Sequence, residues 1–513
     1  YTTLDPKIQE IAESVYEDRG SLNNLTSASG QLIHSGITII EPSTGNIVAM
    51  VGDMGPKSGN LLWNYATDIQ QPGSSIKPLT AYAPALDAGA VSPATTFDNY
   101  PVRLLNGNPW PKNSPNTYTG WTSVRNGVKA SINTIAVQTL EKVGVTAAYQ
   151  FATENLGLSL APEDMNVSPL GLGGLTYGLS TVEMAAAYAA FANSGVYNEP
   201  KTYVKVLAND NSTVVLEKET EQRVAMKETT AYLMTDMLRR AVNESGGTGG
   251  GARFSGMHIA GKTGTTNDNY DRYFTGYTPY YCAAVWVGYE TPERVPAPGN
   301  PAAQVFKKVM TPIHEGLGNQ KFPQVSGLVS VSYCMDCGGE AIEACQYDSR
   351  GSSRIATGYV FPEDRPSFVC SCHSLEEGSS SMARVCVDDP ILDANGEFTG
   401  FYRAAGPYCP EVSVRTLCYL NLERESVGGA VAKDSSAFYS AYLAASGGQG
   451  CTVHSNEPST EIPEPGGPGD SEEPGGIEPG EPGTDDPALP PDPGSSGGHG
   501  ELINPETGVP YGY

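Results

Sequence analysis

Apolar residues recur at helical spacing from Lys7 to Glu17, behind an Asp5 that can cap the first turn and a Pro6 that fits it. The period then changes. Gly36-Ile-Thr-Ile-Ile-Glu and Ile47-Val-Ala-Met-Val-Gly are β-branched runs around Pro42-Ser-Thr-Gly-Asn, which predicts a β-hairpin. Helical patterning follows from Ser74 to about Gly89, Val128 to Val143, Ala147 to Leu156, Thr181 to Ala192 and Met226 to Val242. Residues 95–122, rich in Asn, Pro, Gly and Trp, read as an irregular, cleft-forming insertion. After the glycine cluster from Gly246 to Gly251, strand patterning returns at Met257 to Thr263 and Tyr281 to Tyr289, and Gln304 to His314 reads as a closing helix. Strands, many helices and strands again predict an α+β domain over 27–320, an antiparallel sheet flanked by helices plus a mostly helical lobe. Residues 1–26 form an interdomain segment leading into it.

Cysteine placement changes the picture beyond residue 320. Cys282 stands alone in the first part, whereas Cys334, Cys337, Cys345, Cys370, Cys372, Cys386, Cys409, Cys418 and Cys451 crowd into the stretch that follows. With strand-like pieces at Val325 to Tyr333 and Thr416 to Leu422, residues 325–453 read as one or two small β-rich modules stapled by disulfides. Zinc is the competing reading, since Cys334-Met-Asp-Cys337 and Cys370-Ser-Cys372-His373 have metal-ligand character; disulfides are preferred because no second CxxC stands at a typical distance, and no metal site is expected. Nine is odd, so at least one of these thiols is free, intermolecular or paired with Cys282.

The formal charge is −26, and half of it lies in the last 63 residues, which hold 13 Asp plus Glu and no Lys or Arg. Residues 454–513, rich in Glu, Pro and Gly, cannot bury a core and are expected to stay disordered. Acidity without a basic cluster argues against a nucleic-acid partner or an anionic membrane surface. No apolar run reaches 18 residues, so no span is expected within these residues. The chain starts at Tyr1 without Met, which is compatible with an anchor upstream.

Three short motifs carry the candidate chemistry. Ser74-Ser-Ile-Lys77 places a serine at a predicted helix start with a lysine at i+3 on the same face: a nucleophile, a nearby base and unpaired backbone N–H groups together. By itself the tetrad also fits a capping serine and a solvated lysine. Ser131-Ile-Asn133 sits in a helical run; Ser21, Ser58 and Ser114 also begin S-x-N triplets, but lie at a helix end, in a Gly-rich turn and in the Pro/Asn-rich loop. Lys262-Thr263-Gly264-Thr265 ends a predicted strand with a cation, a hydroxyl and a residue that lets a substrate backbone approach; an ordinary hairpin end is its bland reading.

In this order the motifs resemble the signature of active-site serine penicillin-recognising enzymes. Tyr1-Thr-Thr-Leu-Asp-Pro, Ile40 to Gly52, Gln71 to Lys77, Gly171 to Ala185 and Gly261 to Pro279 look like class A penicillin-binding proteins, over roughly residues 1–320 and more weakly from Val329 to His373. The resemblance implies a serine β-lactamase-like transpeptidase fold and a D,D-transpeptidase of peptidoglycan stem peptides ending in D-Ala-D-Ala, which β-lactams acylate. Carried over, Ser74 is the nucleophile, a neutral Lys77 its base, and Ser131 the proton relay to departing D-Ala. Asn133 holds the substrate amide, and Lys262, Thr263, Gly264 and Thr265 bind the donor end, with the N–H groups of Ser74 and Thr265 as oxyanion hole. No cofactor is implied. The place would be the outer face of the cytoplasmic membrane, with other cell-wall synthesis proteins as candidate partners. Class A proteins carry a glycosyltransferase domain upstream of Tyr-Thr-Thr-Leu-Asp-Pro, so glycan polymerisation is not expected of these residues. The alternatives are a D,D-carboxypeptidase or serine β-lactamase, which deacylates with water, and a non-catalytic wall-binding scaffold.

Overall fold

Asp5 caps as its position predicts: its Oδ1 accepts from the backbone N–H of Lys7 at 2.9 Å and of Ile8 at 3.1 Å, and helix α1 runs over Pro6–Glu17. The computed structural model describes residues 1–349, 353–376, 382–392, 396, 398–418, 420, 425–432 and 450–454. The tail expected over 454–513 lies outside them, apart from His454.

Strands β1 (His34–Glu41) and β2 (Asn46–Val51) form the expected hairpin. With β3 (Ala260–Thr265), β4 (Arg272–Tyr277) and β5 (Cys282–Gly288) they build a five-stranded antiparallel sheet, ordered β3-β4-β5-β1-β2. Pairing of β1 with β5 brings chain segments about 250 residues apart into register, Gly36 opposite Trp286. β4 has no counterpart among the predicted strands. Both faces of this sheet are covered by helices, so β4 lacks the polar-apolar alternation that marks a half-exposed strand.

The helices fall to either side. α2 (Val124–Lys129) and α3 (Asn133–Val143) belong to the helical lobe, α4 (Thr181–Ala192) and α5 (Glu228–Asn243) cover one sheet face, and α6 (Pro301–Ile313) joins α1 on the other. Period-two alternation in β5 sorts the two cores: Ala284 and Trp286 meet Ala185 and Tyr188 of α4, while Ala283, Val285 and Val287 meet Val305, Phe306 and Val309 of α6. Each large side chain buried this way contributes about 1.5–3 kcal/mol. Alanines dominate α4, which lets it lie close to the sheet. Its start is fixed by a capping box, the Ser180 hydroxyl accepting from Glu183 N and the Glu183 carboxylate from Ser180 N.

Two predicted helices are broken, each for a local reason. The run from Ser74 becomes a 3₁₀ turn (Gly73–Ile76), a π turn (Pro78–Tyr82) and a short α segment (Ala83–Asp87), because Pro78 and Pro84 have no N–H to continue a regular ladder. The run from Val128 to Val143 is interrupted between α2 and α3, where Ser131 takes the left-handed conformation with φ of 60°. Ser131 therefore sits in the break and not on a helix.

Within residues 325–453, Val329–Cys334 pairs with Ile355–Val360, and Met382–Leu392 lies between Phe398–Ala404 and Val414–Cys418. These strands meet the cleft-forming insertion, since Ala94 packs with Tyr333 and Val360, and the Tyr100 hydroxyl donates to the Ala430 carbonyl at 2.6 Å. The disulfide expectation is corrected. No two cysteine sulfurs are at bonding distance, and all ten thiols are free. Cys282 is buried in β5, where its Sγ donates to the Ala185 carbonyl at 3.2 Å, so it pairs with none of the others.

Candidate active site

The turn carrying Ser74 is wedged between the end of β3 and the helical lobe by residues that lack side chains. Gly73 has φ of +50°, and a Cβ on it would lie 2.9 Å or less from the backbone N, C and O of Thr265. A Cβ on Gly173 (φ +82°) would stand 2.0 Å from the Gly73 carbonyl oxygen, and one on Gly264 2.0 Å from that of Pro72. Gly264 thus admits the nucleophile's own turn; its missing side chain faces Pro72 and not the open cleft. Three glycines distant in sequence bring Thr265 and Ser74 together. From below, the Tyr188 hydroxyl donates to the Ser75 carbonyl at 2.5 Å, and Ser75 donates to the Pro72 carbonyl at 2.7 Å.

Ser74 is half-buried, and among the described residues its hydroxyl makes no hydrogen bond. One turn on, Lys77 is fully buried and its Nζ donates to the Ser131 carbonyl at 2.9 Å and to Asn133 Oδ1 at 2.5 Å. Lys262, also fully buried, donates from Nζ to Ser131 Oγ at 2.7 Å. The two lysines therefore hold Ser131 from opposite sides, one at its carbonyl and one at its hydroxyl. The left-handed backbone of Ser131 is what turns both groups toward them.

Among the described residues no carboxylate pairs with either lysine, and that sets their electrostatics. Burial first, and then the charge of Lys262, keep the Lys77 ammonium well below its ordinary value, while burial brings Lys262 down to about 7. Both effects favour the free-amine form of Lys77, while Lys262 titrates near neutrality.

Asn133 opens α3, its side-chain N–H group donating to the Lys112 carbonyl at 2.6 Å and its backbone N–H to Asn113 Oδ1 at 3.0 Å. The insertion thereby holds Asn133 from the far side of the cleft. Thr263 donates to Thr248 Oγ1 at 2.7 Å, tying β3 to the glycine-rich loop after α5, and Thr265 is exposed at the strand end. A cleft of about 780 Å³ opens over Ser74, walled by Trp110, Lys112, Asn133, Gly174, Thr265 and Tyr270. A second cleft, about 820 Å³, lies around Arg19, Asp53 and Trp63; it contains Ser58 but none of Ser74, Asn133 and Thr265.

All eight residues singled out in the sequence thus gather in one region, and Ser131, not Ser21, Ser58 or Ser114, is the S-x-N serine that both lysines reach. The supports of the Ser74 turn were missed. Asn300 donates to the carbonyls of Gly264 and Tyr273, and the Gln71 amide is hydrogen bonded in both directions to the Leu175 backbone at 2.8 Å. The only linear signal for these was the glycine-rich run from Gly171 to Gly178.

The penicillin-binding protein transpeptidase domain model matches residues 35–311, the span that contains the sheet, both lobes and all three motifs. The chain belongs to this family. Among relatives of this chain, penicillin-binding protein 1A of Clostridium perfringens is 30% identical over 393 residues, covering 73% of this chain and 47% of that protein. Penicillin-binding protein 1A/1B of Bacillus subtilis is 35% identical over 309 residues, 56% of this chain and 32% of that one. The chain spans about half or less of the length of these relatives. Among solved structures, penicillin-binding protein 1A of Haemophilus influenzae (TM-score 0.55, 20% identity, 66% of this chain and 55% of that one) shares the fold. So does PonA1 of Mycobacterium tuberculosis in complex with penicillin V (TM-score 0.54, 23% identity, 64% and 88%). Among the described residues no helix is long and apolar enough to cross a membrane.

Proposed function

We propose that the chain is a serine-type D,D-transpeptidase that cross-links peptidoglycan stem peptides at the outer face of the cytoplasmic membrane and is acylated by β-lactams. The observation that carries this reading is the pair of buried, carboxylate-free lysines meeting at Ser131 beside the Ser74 turn. A lysine buried with no counter-ion is costly to fold around and has little structural use; as a free amine it can take a proton.

In this mechanism the Ser74 hydroxyl attacks the carbonyl between the two terminal D-Ala residues, and its proton passes to the Lys77 amine. Negative charge forming on the carbonyl oxygen is met by backbone N–H groups of Ser74 and Thr265, a reading supported by the close approach of the Ser74 turn to the end of β3 that the glycines allow. Collapse breaks the peptide bond, and the departing D-Ala amine receives a proton from Ser131, resupplied through the lysines. Asn133 orients the substrate amide, while Lys262 with Thr263 and Thr265 holds the terminal carboxylate. An amine of a neighbouring stem then attacks the ester, restoring the Ser74 hydroxyl and leaving the cross-link. The cleft of about 780 Å³ walled by the insertion suits a polymeric donor better than hydrolysis of a small drug.

The deciding experiment supplies a donor peptide ending in D-Ala-D-Ala together with an amine acceptor, and follows fluorescent penicillin in parallel. A cross-linked product by mass spectrometry and a label that persists for many minutes are expected. Donor trimmed only by water, or label lost within seconds, would assign the site to a carboxypeptidase or β-lactamase.

Acylation also has a defined pH dependence. Lys262 loses its charge as pH rises through about 7, and with it the attraction for a β-lactam carboxylate. The second-order acylation rate is therefore expected to fall on the alkaline side, and on the acid side where Lys77 becomes protonated. Lys262→Arg keeps its charge throughout, so its alkaline limb should move to higher pH. An unmoved limb would assign that limb to another group.

A further inference from the structure

The geometry points to zinc as the staple of the C-terminal module, bound at two thiolate centres. The larger gathers Cys334, Cys337, Cys345, Cys370, Cys372 and His373; the smaller gathers Cys386, Cys409, Cys451 and His454, with ligand atoms of each tetrad lying within 4.8 Å of one another.

The spacings are those of a coordination shell. Cys372 Sγ is 3.8 Å from Cys334 Sγ and 3.6 Å from Cys370 Sγ, and His373 Nδ1 lies 3.6, 3.5 and 3.3 Å from the sulfurs of Cys334, Cys370 and Cys372. With Zn–S of about 2.3 Å and Zn–N of about 2.0–2.1 Å, a tetrahedral shell has edges of about 3.8 Å between sulfurs and about 3.6 Å from sulfur to nitrogen. A disulfide requires about 2.05 Å. In the smaller centre His454 Nδ1 stands 3.4 Å from Cys386 Sγ and 3.5 Å from Cys451 Sγ. Ligands from positions 386 and 451 cannot meet by chain proximity; the turn bearing Cys451 and His454 is tied to the Met382–Leu392 strand by Thr452, whose N–H donates to Asp389 Oδ2 at 2.6 Å.

The surroundings are those of ligands and not of a redox pair. His373 turns its second nitrogen to Asp348 Oδ2 at 3.1 Å and Asp336 Oδ2 at 3.5 Å, with all three side chains almost wholly buried. A carboxylate behind an imidazole fixes the tautomer that presents Nδ1 to a metal. Backbone N–H groups of Asp336, Gly406 and His454 donate to the sulfurs of Cys334, Cys409 and Cys451 at 3.4, 3.2 and 3.4 Å, partners suited to thiolates. Apolar packing around the larger centre is small: the cluster of Tyr333, Ala356 and Val360 lies on one side, and the neighbouring buried cluster is Cys334, Cys345 and Cys370 themselves.

Soft thiolates with imidazole select zinc over the oxygen-ligated cations. On binding, each cysteine thiol releases its proton to solvent and no oxidant is consumed. The larger centre has six donors, and Cys334 and Cys370 belong to both of its tetrads, so it has the ligands for two ions sharing those sulfurs.

The test is metal content of the full chain, purified without chelator or oxidant, by inductively coupled plasma mass spectrometry alongside intact mass after thiol alkylation. At least two equivalents of zinc are expected, with all ten cysteines alkylated once the protein is denatured without reductant. A third equivalent is the signature of the shared sulfurs. His454→Ala should lower zinc by one equivalent and leave the rest. Fewer than two equivalents in the parent chain, bound iron with visible absorbance, or disulfide-linked peptides among these cysteines would each overturn the proposal. No loss on His454→Ala would overturn the smaller centre.

Discussion

A Ser74→Ala protein is expected to keep the parent's folding stability to within about 0.5 kcal/mol and yet to take up no fluorescent penicillin. The two halves of this expectation have different origins. The Ser74 hydroxyl is half-exposed and makes no hydrogen bond among the described residues, so the fold loses little with it. Chemistry loses everything that depends on an acyl-enzyme; removing a serine nucleophile costs on the order of 10⁶-fold in a serine hydrolase. The neighbouring Ser75 cannot substitute, because its hydroxyl is buried and committed to the Pro72 carbonyl. Gel fluorescence with intact mass spectrometry checks the label, and thermal melting checks the fold. An acyl adduct that persists on the variant would place the nucleophile elsewhere.

Gly264→Ala is expected to be among the most damaging single methyl additions in the domain. The added carbon would sit 2.0 Å from the Pro72 carbonyl oxygen, 2.8 Å from Tyr273 Cβ and 2.9 Å from Ser75 Oγ. The carbonyl belongs to the backbone and Tyr273 is fully buried, so neither can swing aside. Either β3 or the Ser74 turn must move, at about 1–3 kcal/mol for overpacking and more if both do. Displacement of about 1 Å between nucleophile and oxyanion donors costs about 10²-fold. A lowered melting temperature with acylation slowed at least that much is the expected result. Gly174→Ala is the control, since it borders the same cleft and its Cβ would meet nothing within 4 Å. If both variants acylate equally fast, the glycine wedge does not position the site.

The pH limb assigned to Lys262 and the glycine wedge share a cause, namely that the site is made by close approach of elements remote in sequence. Local rules were enough for much of the scaffold. The α1 cap, the β1–β2 hairpin and the bounds of α4 follow from capping residues, β-branched runs and a capping box. They failed where a neighbour decides the outcome. β4 is invisible because helices cover both of its faces. The run from Ser74 breaks at prolines that periodicity alone overlooks. Ser131 was placed on a helix, although its role at the junction of two lysines depends on leaving one. His454 was assigned to the tail, yet its ring lies against Cys386 and Cys451.

What the sequence determined by itself is the chemistry on offer. Ser74 three residues before Lys77, Ser131 two before Asn133, and Lys262-Thr-Gly-Thr at a strand end are statements about order and spacing, which a linear chain carries in full. The tertiary structure alone decided that Lys77 and Lys262 are both buried with no carboxylate partner among the described residues, which biases both toward the neutral form. It alone decided that Gly264 faces Pro72, and that the crowded cysteines gather at ligand spacing with no two sulfurs at disulfide distance. Burial and distance between remote residues are properties of packing, and packing leaves no mark on spacing.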